Sequence, residues 1–166
     1  MLARMIGAAR LDLKTFREVT ADENATPQAI AVVIISAMAI GFGVGPGYTI
    51  PIGFILWWVS WWAIWVFLVY LIGPMVLQPP ERAADWGRFA RATGFSQSPA
   101  LGMVLLTFIH GLGPSISLLV FLVVATWWFL ALVVGVRQAL EISTMWAFAV
   151  AGTFLIPSIV IELGLF

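Results

Sequence analysis

The chain of 166 residues contains no cysteine, one histidine and few charged side chains. The absence of cysteine excludes disulfides, thiolate nucleophiles and cysteine-ligated metal sites. Charged residues make up 10% of the sequence and the formal net charge is zero, so no long-range field attracts nucleic acid and we expect no such partner. HExxH and GxSxG motifs are also absent. We therefore expect a protein that is not an enzyme and that has no metal site.

Hydrophobic residues make up most of what is present. They account for 62% of the chain, and the mean hydropathy is +1.05. About 20 apolar residues suffice to cross a bilayer. The sequence predicts an all-α, polytopic integral membrane protein, in which the N-terminal segment 1–26 precedes a five-span membrane domain, 27–166. The predicted transmembrane helices cover residues 27–44, 50–77, 99–112, 115–136 and 144–165.

The basic residues predict the orientation of these spans. Under the positive-inside rule, cytoplasmic segments carry the excess of Lys and Arg. With five spans, all eight basic residues fall on the cytoplasmic side, the amino terminus is inside and the carboxyl terminus is outside. A rival arrangement, with a re-entrant segment 99–112, places seven inside and one outside. The basic residues are Arg4, Arg10, Lys14, Arg17, Arg82, Arg88, Arg91 and Arg137.

The N-terminal segment has apolar residues at helical spacing. Such a pattern is typical of a helix that lies in the membrane interface, with its basic residues near anionic head groups. We expect membrane lipids as the partner of this helix, and a docking role toward a cytoplasmic protein is the alternative. The expected interfacial anchor consists of Leu2, Met5, Ile6, Leu13 and Phe16.

Five tryptophans lie near the middle of the second predicted span. Their spacing places them in two adjacent stripes on one side of a helix. The simpler interpretation is bulky packing against small residues and lipid. The alternative is a flat aromatic face that holds a lipid, quinone or pigment, although no cofactor is predicted outright. This aromatic face comprises Trp57, Trp58, Trp61, Trp62 and Trp65.

The first span carries a ridge of small residues that ends in Ala37, Gly41 and Gly45. Such ridges allow close approach of helices in lipid, so we expect helix packing here, against the same chain or another subunit. His110, near the outer end of the third span, is the one histidine. We expect a backbone hydrogen bond from its ring at a turn, and ligation of a haem-type cofactor is the less favoured alternative.

Four stretches of the sequence resemble bacterial members of the Yip (Ypt-interacting protein) domain family. They are residues 1–13, 24–29, 86–99 and 127–143, and together they extend over nearly the whole chain. The resemblance implies five spans, a cytoplasmic amino terminus and an external carboxyl terminus. Eukaryotic members of this family interact with Rab-type GTPases in vesicle traffic, whereas its bacterial members have no agreed activity.

The sequence thus predicts a non-catalytic inner-membrane protein that acts as a scaffold or accessory subunit and associates with other integral membrane subunits. One alternative is a peripheral subunit of a respiratory or photosynthetic complex, such as a reaction centre or light-harvesting assembly. The other is a small transporter or lipid-binding membrane protein. Buried polar residues that converge on a cavity would favour the transporter.

Overall fold

The computed structural model describes residues 1–44, 52–76 and 85–156, and these residues form helices and turns without a strand. The all-α class predicted from the sequence is confirmed. Within the described ranges, four helical elements are long and apolar enough to cross a membrane. They are Glu23–Gly43, Ile52–Gly73, Trp86–Leu112 and Pro114–Leu140.

Eight α-helices are found in the described part of the chain, joined by short 3-10 turns. In order they are α1 (Leu2–Ala9), α2 (Leu13–Ala21), α3 (Thr26–Val44), α4 (Ile52–Val76), α5 (Trp86–Phe95), α6 (Leu105–Ile109), α7 (Pro114–Leu140) and α8 (Thr144–Thr153). The bounds of α3 and α4 agree with the predicted spans to within two residues at each end, and α7 extends four residues beyond the predicted end of its span. Long apolar runs explain this agreement.

The third span begins earlier than predicted, and the predicted fifth span extends beyond the described residues. The third helical element begins at Trp86, well before the predicted start at residue 99, because α5 continues through Ser98–Val104 as a 3-10 helix and then into α6. In the fifth span, Ser143 caps α8 by accepting from Trp146 N at 3.4 Å. Residues 157–165 of the predicted fifth span lie outside the described residues, so the count of five spans stays a prediction.

Successive long elements run in opposite directions. Ala29 of α3 lies beside Gly94 of α5, and Gly43 lies beside Met103, so these two elements are parallel. In contrast, α4 is antiparallel to both. Trp65 packs on Phe89, whereas Trp62, one turn earlier in α4, donates to Thr93, which lies further along the third element.

The two C-terminal helices continue this alternation. Gly135 of α7 lies beside Ala92, and Val124 lies beside Gly102, which makes α7 antiparallel to the third element. The following helix, α8, reverses again and packs on α7, and its C-terminal end contacts α4 through Thr153. One large buried cluster joins α3, α4, α5, α7 and α8, and a smaller one joins the N-terminal helices to α3 and α5.

The N-terminal segment is a helical hairpin, and the expected single amphipathic helix is wrong. The chain turns at Leu11, which has a left-handed conformation with φ of 60°. Asp12 then starts α2 as its N-cap, accepting from the backbone N–H groups of Lys14 and Thr15. Gly7 lets α1 approach α2, because a Cβ there would overlap the Thr15 side chain.

This turn divides the predicted anchor between two environments. Met5 and Phe16 are buried within the protein, and the Phe16 ring lies beside Gly135 of α7. Leu2, Ile6 and Leu13 are exposed. The five residues therefore do not form one face, because the two helices point in opposite directions.

Candidate functional site

The five tryptophans of α4 pack mainly inward. Trp58, Trp62 and Trp65 are buried, Trp61 is half-buried, and Trp57 is 39% exposed. The structure therefore divides the predicted aromatic face between the interior and one exposed member. The five side chains therefore do not form one flat wall on the surface of α4.

Phe154, just beyond α8, is the centre of an aromatic cluster that the sequence did not indicate. Its ring contacts those of Trp58, Trp61, Trp65 and Trp128, with centroid separations between 5.0 and 6.2 Å. Most of these contacts are T-shaped, which brings the positive edge of one ring to the negative face of another. The cluster joins α4, α7 and α8 into one unit.

Indole N–H groups add direction to this packing. Trp61 Nε1 donates to the Phe154 carbonyl oxygen at 3.0 Å, and Trp65 Nε1 donates to Thr153 Oγ1 at 2.8 Å. Deeper in the bundle, Trp62 Nε1 donates to a buried threonine hydroxyl of α5. Two of these bonds join α4 to the end of α8 and the third joins it to α5, so the indoles set the register of the helix as well as its packing.

A groove of about 380 Å³ lies between α4 and α8, beside this cluster. Among its lining side chains, the indole nitrogens of Trp61 and Trp65 and the Thr153 hydroxyl already take part in the hydrogen bonds above. The groove therefore suits hydrocarbon and has little to orient a polar head. It is lined by Trp61, Trp65, Leu68, Val69, Ile72, Gly73, Trp146, Ala149, Val150, Thr153 and Ile156.

On the other side of the bundle, a buried arginine fastens the hairpin. Arg91 of α5 is 4% exposed. Its guanidinium donates to the carbonyl oxygens of Val19 at 3.1 Å and Thr20 at 2.8 Å, and it lies 3.6 Å from the exposed Asp85 carboxylate. The last carbonyls of a helix carry partial negative charge, so Arg91 satisfies the end of α2 with a cation.

A second arginine ties α1 to α2. Arg4 lies 2.9 Å from Glu18 and 2.7 Å from Asp22, and it also donates to Gln28 of α3. The hydrogen bond from Arg4 lowers the pKa of Asp22 below its ordinary value, and the same contacts raise the pKa of Arg4. The sequence predicts both arginines as cytoplasmic basic residues, and nothing in their spacing indicates these contacts.

The small-residue ridge of α3 packs within the chain. Ala29, Val33 and Ala37 are fully buried, and Gly41 is also buried. Gly45 lies outside the described residues. The ridge meets the third helical element, as the contact of Ala29 with Gly94 shows, in addition to the tryptophan-rich helix. Gly43 is not part of the predicted ridge, yet a Cβ there would overlap the Met103 carbonyl oxygen.

His110 lies at the end of α6, where its Nε2 is 2.9 Å from the Gly43 carbonyl oxygen. This contact fixes the proton on Nε2, which donates to the carbonyl. It is the backbone hydrogen bond that the sequence favoured for this residue. The residue is otherwise exposed.

Gln97 is a buried polar residue that lies at the change from α5 to the 3-10 segment. It is fully buried, and neither its amide oxygen nor its amide nitrogen has a hydrogen-bond partner among the described residues. Its backbone oxygen accepts from Ser36 Oγ at 2.9 Å. The neighbouring hydroxyls of Thr93, Ser96 and Ser98 donate to backbone carbonyls.

Comparison with known proteins gives no relative on which to build. No family model matches the chain, and neither the curated proteins nor the solved structures give a significant match.

Proposed function

We propose that this chain is a non-catalytic protein of a bacterial inner membrane, a scaffold or accessory subunit of the Yip-like type. In this proposal α8 continues into a fifth span, the amino terminus is cytoplasmic and the carboxyl terminus is outside. The alternating direction of the long elements supports the crossing pattern, because each reversal carries the chain back across the same layer. The charge distribution along the sequence supports the orientation.

The exposed face of α4 is the observation that carries the proposal. Leu56, Ile64, Phe67 and Ile72 are between 51% and 62% exposed, and most of this long apolar helix lies on the surface of the chain. Its inner side, by contrast, is fixed to the bundle by the aromatic cluster. A rigid helix with one bound side and one free apolar side can pack against the helices of another subunit.

The buried polar residues argue for this reading over a transporter. Hydroxyls that could line a substrate path donate to nearby backbone carbonyls instead, as Ser36 and Thr93 do. The groove between α4 and α8 has an apolar lining. A transporter of polar solutes needs convergent polar groups around its cavity, whereas an apolar groove suits the hydrocarbon of a lipid.

Lipid binding is therefore the second candidate function, and the groove is the observation that favours it. An acyl chain, a quinone tail or the hydrophobic part of a pigment would contact Trp65 and Trp146 there. Lipid binding is compatible with a subunit role, because lipids commonly fill gaps between neighbouring membrane proteins. A respiratory or photosynthetic complex remains the class of assembly in which both roles would meet.

Site-specific photocrosslinking tests the association. A photoreactive amino acid at Phe67, on the free face of α4, should give crosslinks to defined integral membrane proteins in intact cells. The matched control carries the same amino acid at Ile34, an exposed residue of α3. If Phe67 gives crosslinks to lipid alone while the purified protein behaves as a monomer, the subunit role is wrong and lipid binding becomes the leading proposal.

A further inference from the structure

The turn of the N-terminal hairpin reaches half-way along α7. Trp127 Nε1 donates to the carbonyl oxygen of Ala9, the last residue of α1. Trp127 lies thirteen residues from each end of α7, Pro114–Leu140. At a rise of 1.5 Å per residue, Ala9 is therefore about 20 Å from the Leu140 end of that helix. The hairpin stands beside the bundle, and it does not lie flat across its end.

The distribution of exposed apolar side chains on α7 locates the hydrocarbon. The helix is about 40 Å long, which is longer than the roughly 30 Å of hydrocarbon in a bilayer. Its large exposed apolar residues lie between Ile116 and Leu130, and the stretch from Ala131 onward is mostly covered by protein. We place one boundary of the hydrocarbon where this exposed apolar stretch ends, near Leu130. Trp127 lies three residues before Leu130, so the turn of the hairpin is about 5 Å inside that boundary.

The outer side of the hairpin suits this depth. Leu2, Ile6 and Leu13 are 72%, 53% and 39% exposed. Interfacial helices bury such side chains about 5–10 Å below the boundary of head groups and acyl chains. Met5 and Phe16 point the other way and hold the hairpin to the bundle.

The charged residues of the hairpin flank its turn and follow along α2. Asp12 accepts three hydrogen bonds, from Lys14 N, Thr15 N and Thr15 Oγ1. The other acids of α2, Glu18 and Asp22, are paired with Arg4. Three exposed cations form no salt bridge with any described residue, and their long side chains can extend from the apolar layer to the phosphates. They are Arg10, Lys14 and Arg17.

We propose that the α1–α2 hairpin is a wedge in one membrane leaflet that selects anionic phospholipids. Its exposed apolar side contacts acyl chains, and its three unpaired cations bind lipid phosphate groups. The inference rests on the proposed function only in that the long helices cross a membrane. It deepens the lipid contact that the sequence predicts for the N-terminal segment, by giving its depth in the leaflet and its selection among lipids.

Depth can be measured directly, because the chain has no cysteine. Spin labels are placed at Leu13→Cys and at Glu23→Cys, two exposed positions near opposite ends of the second hairpin helix. The full chain is reconstituted in vesicles of phosphatidylcholine and phosphatidylglycerol. Collision with oxygen should dominate at Leu13 and collision with a water-soluble nickel complex at Glu23. Equal access of the nickel complex to both labels would overturn the wedge.

A third label separates this result from a failure of the proposed function. Leu119→Cys lies on the exposed part of α7 and should be inaccessible to the nickel complex. If Leu119 is accessible, the crossing of the membrane itself is wrong. If Leu119 is protected while Leu13 is accessible, only the wedge is wrong.

Lipid selection is tested by native mass spectrometry of the same protein released from these vesicles. One Lys or Arg near an anionic surface contributes a factor of about five in affinity. The triple variant R10Q/K14Q/R17Q should therefore retain phosphatidylglycerol at least about tenfold more weakly. The charge-preserving variant R10K/R17K should retain it as the native chain does. Undiminished retention by the triple variant would overturn the selection of anionic lipid.

Discussion

Two sides of this bundle are held together by different interactions. On the hairpin side, where α1 and α2 meet α5, charged donors reach backbone carbonyls and carboxylates, with Arg91 and Arg4 at the centre. On the aromatic side, where α4 meets α7 and α8, the helices are held together by ring contacts around Phe154 and by indole hydrogen bonds.

The difference follows from what each side must satisfy. Helix ends leave backbone carbonyls without hydrogen-bond donors. On the hairpin side, the Arg91 guanidinium donates to two of these carbonyls. On the aromatic side most backbone groups are paired within their helices, and at the end of α8 a neutral indole N–H, that of Trp61, donates to the Phe154 carbonyl. Close packing and side-chain hydrogen bonds then decide how helices associate, because lipid is as apolar as the side chains it would replace.

The largest effect is expected from Arg91. Replacement by methionine leaves two carbonyl oxygens at the end of α2 without a donor, and each buried unpaired group costs about 1–3 kcal/mol. Arg91→Met should lower the free energy of unfolding in detergent by about 3 kcal/mol. Arg91→Lys keeps the charge and should lose about half as much. A loss below about 0.5 kcal/mol for Arg91→Met would show that the hairpin is held by packing alone.

Phe154→Ala should have the next largest effect, on the aromatic side. In water, truncation of a buried phenylalanine costs about 3–5 kcal/mol. We expect about 2 kcal/mol here, because lipid and not water replaces the lost contacts. The measurement is again unfolding in detergent, with Phe148→Ala, an exposed residue of α8, as the matched control. Equal losses in both variants would remove Phe154 from the centre of the cluster.

Gln97→Met is expected to act in the opposite direction. The substitution keeps the side-chain volume similar and removes an amide with two buried, unpartnered atoms. The bond from Ser36 to the backbone oxygen of residue 97 is retained. Stability should rise by about 1 kcal/mol. A loss of stability would reveal a partner for the amide, such as a bound water, in the centre of the bundle.

The smallest effect is a dependence on pH at the hairpin side. Arg4 lowers the pKa of Asp22 in the folded chain, so the pair stabilises the fold fully above the ordinary carboxyl pKa of about 4. The contribution is lost as the pH falls through the lowered value. Protease cleavage between α1 and α2 should therefore increase below about pH 4 in the native chain. Asp22→Asn should show raised cleavage at neutral pH and a weaker dependence on acid.

The sequence predicted best the elements whose apolar runs are long and uninterrupted. The bounds of α3 and α4 followed from hydropathy, and α7 nearly so. The hairpin was missed although its signal was present: Asp12 precedes Thr15 by three residues, as an N-cap does. Because the apolar residues keep helical spacing on both sides of Asp12, the pattern predicts one continuous helix and no turn.

Other features depended on contacts that no spacing reveals. The early start of the third element required the polar stretch at Ser96–Ser98 to be buried, and its hydroxyls achieve this by bonding to backbone carbonyls. The tryptophans of α4 were identified as a group, but the choice of Trp57 as the exposed member depends on where α5 and α8 lie. Phe154 had no local signal at all, because its role comes from four rings on two other helices.

The most direct test of the account is the side of the membrane on which each end of the bundle lies. Single cysteines at Glu23, Thr144 and Gly111, all exposed, can be labelled in intact cells with a reagent that does not cross the membrane, because the native chain has none. If the long helices cross the membrane with their basic ends inside, Gly111 should be labelled from outside. Glu23 and Thr144 should then be labelled only after the cells are opened. Protection of Gly111 together with Glu23 would contradict the account, since the third element would then return to the side from which it entered.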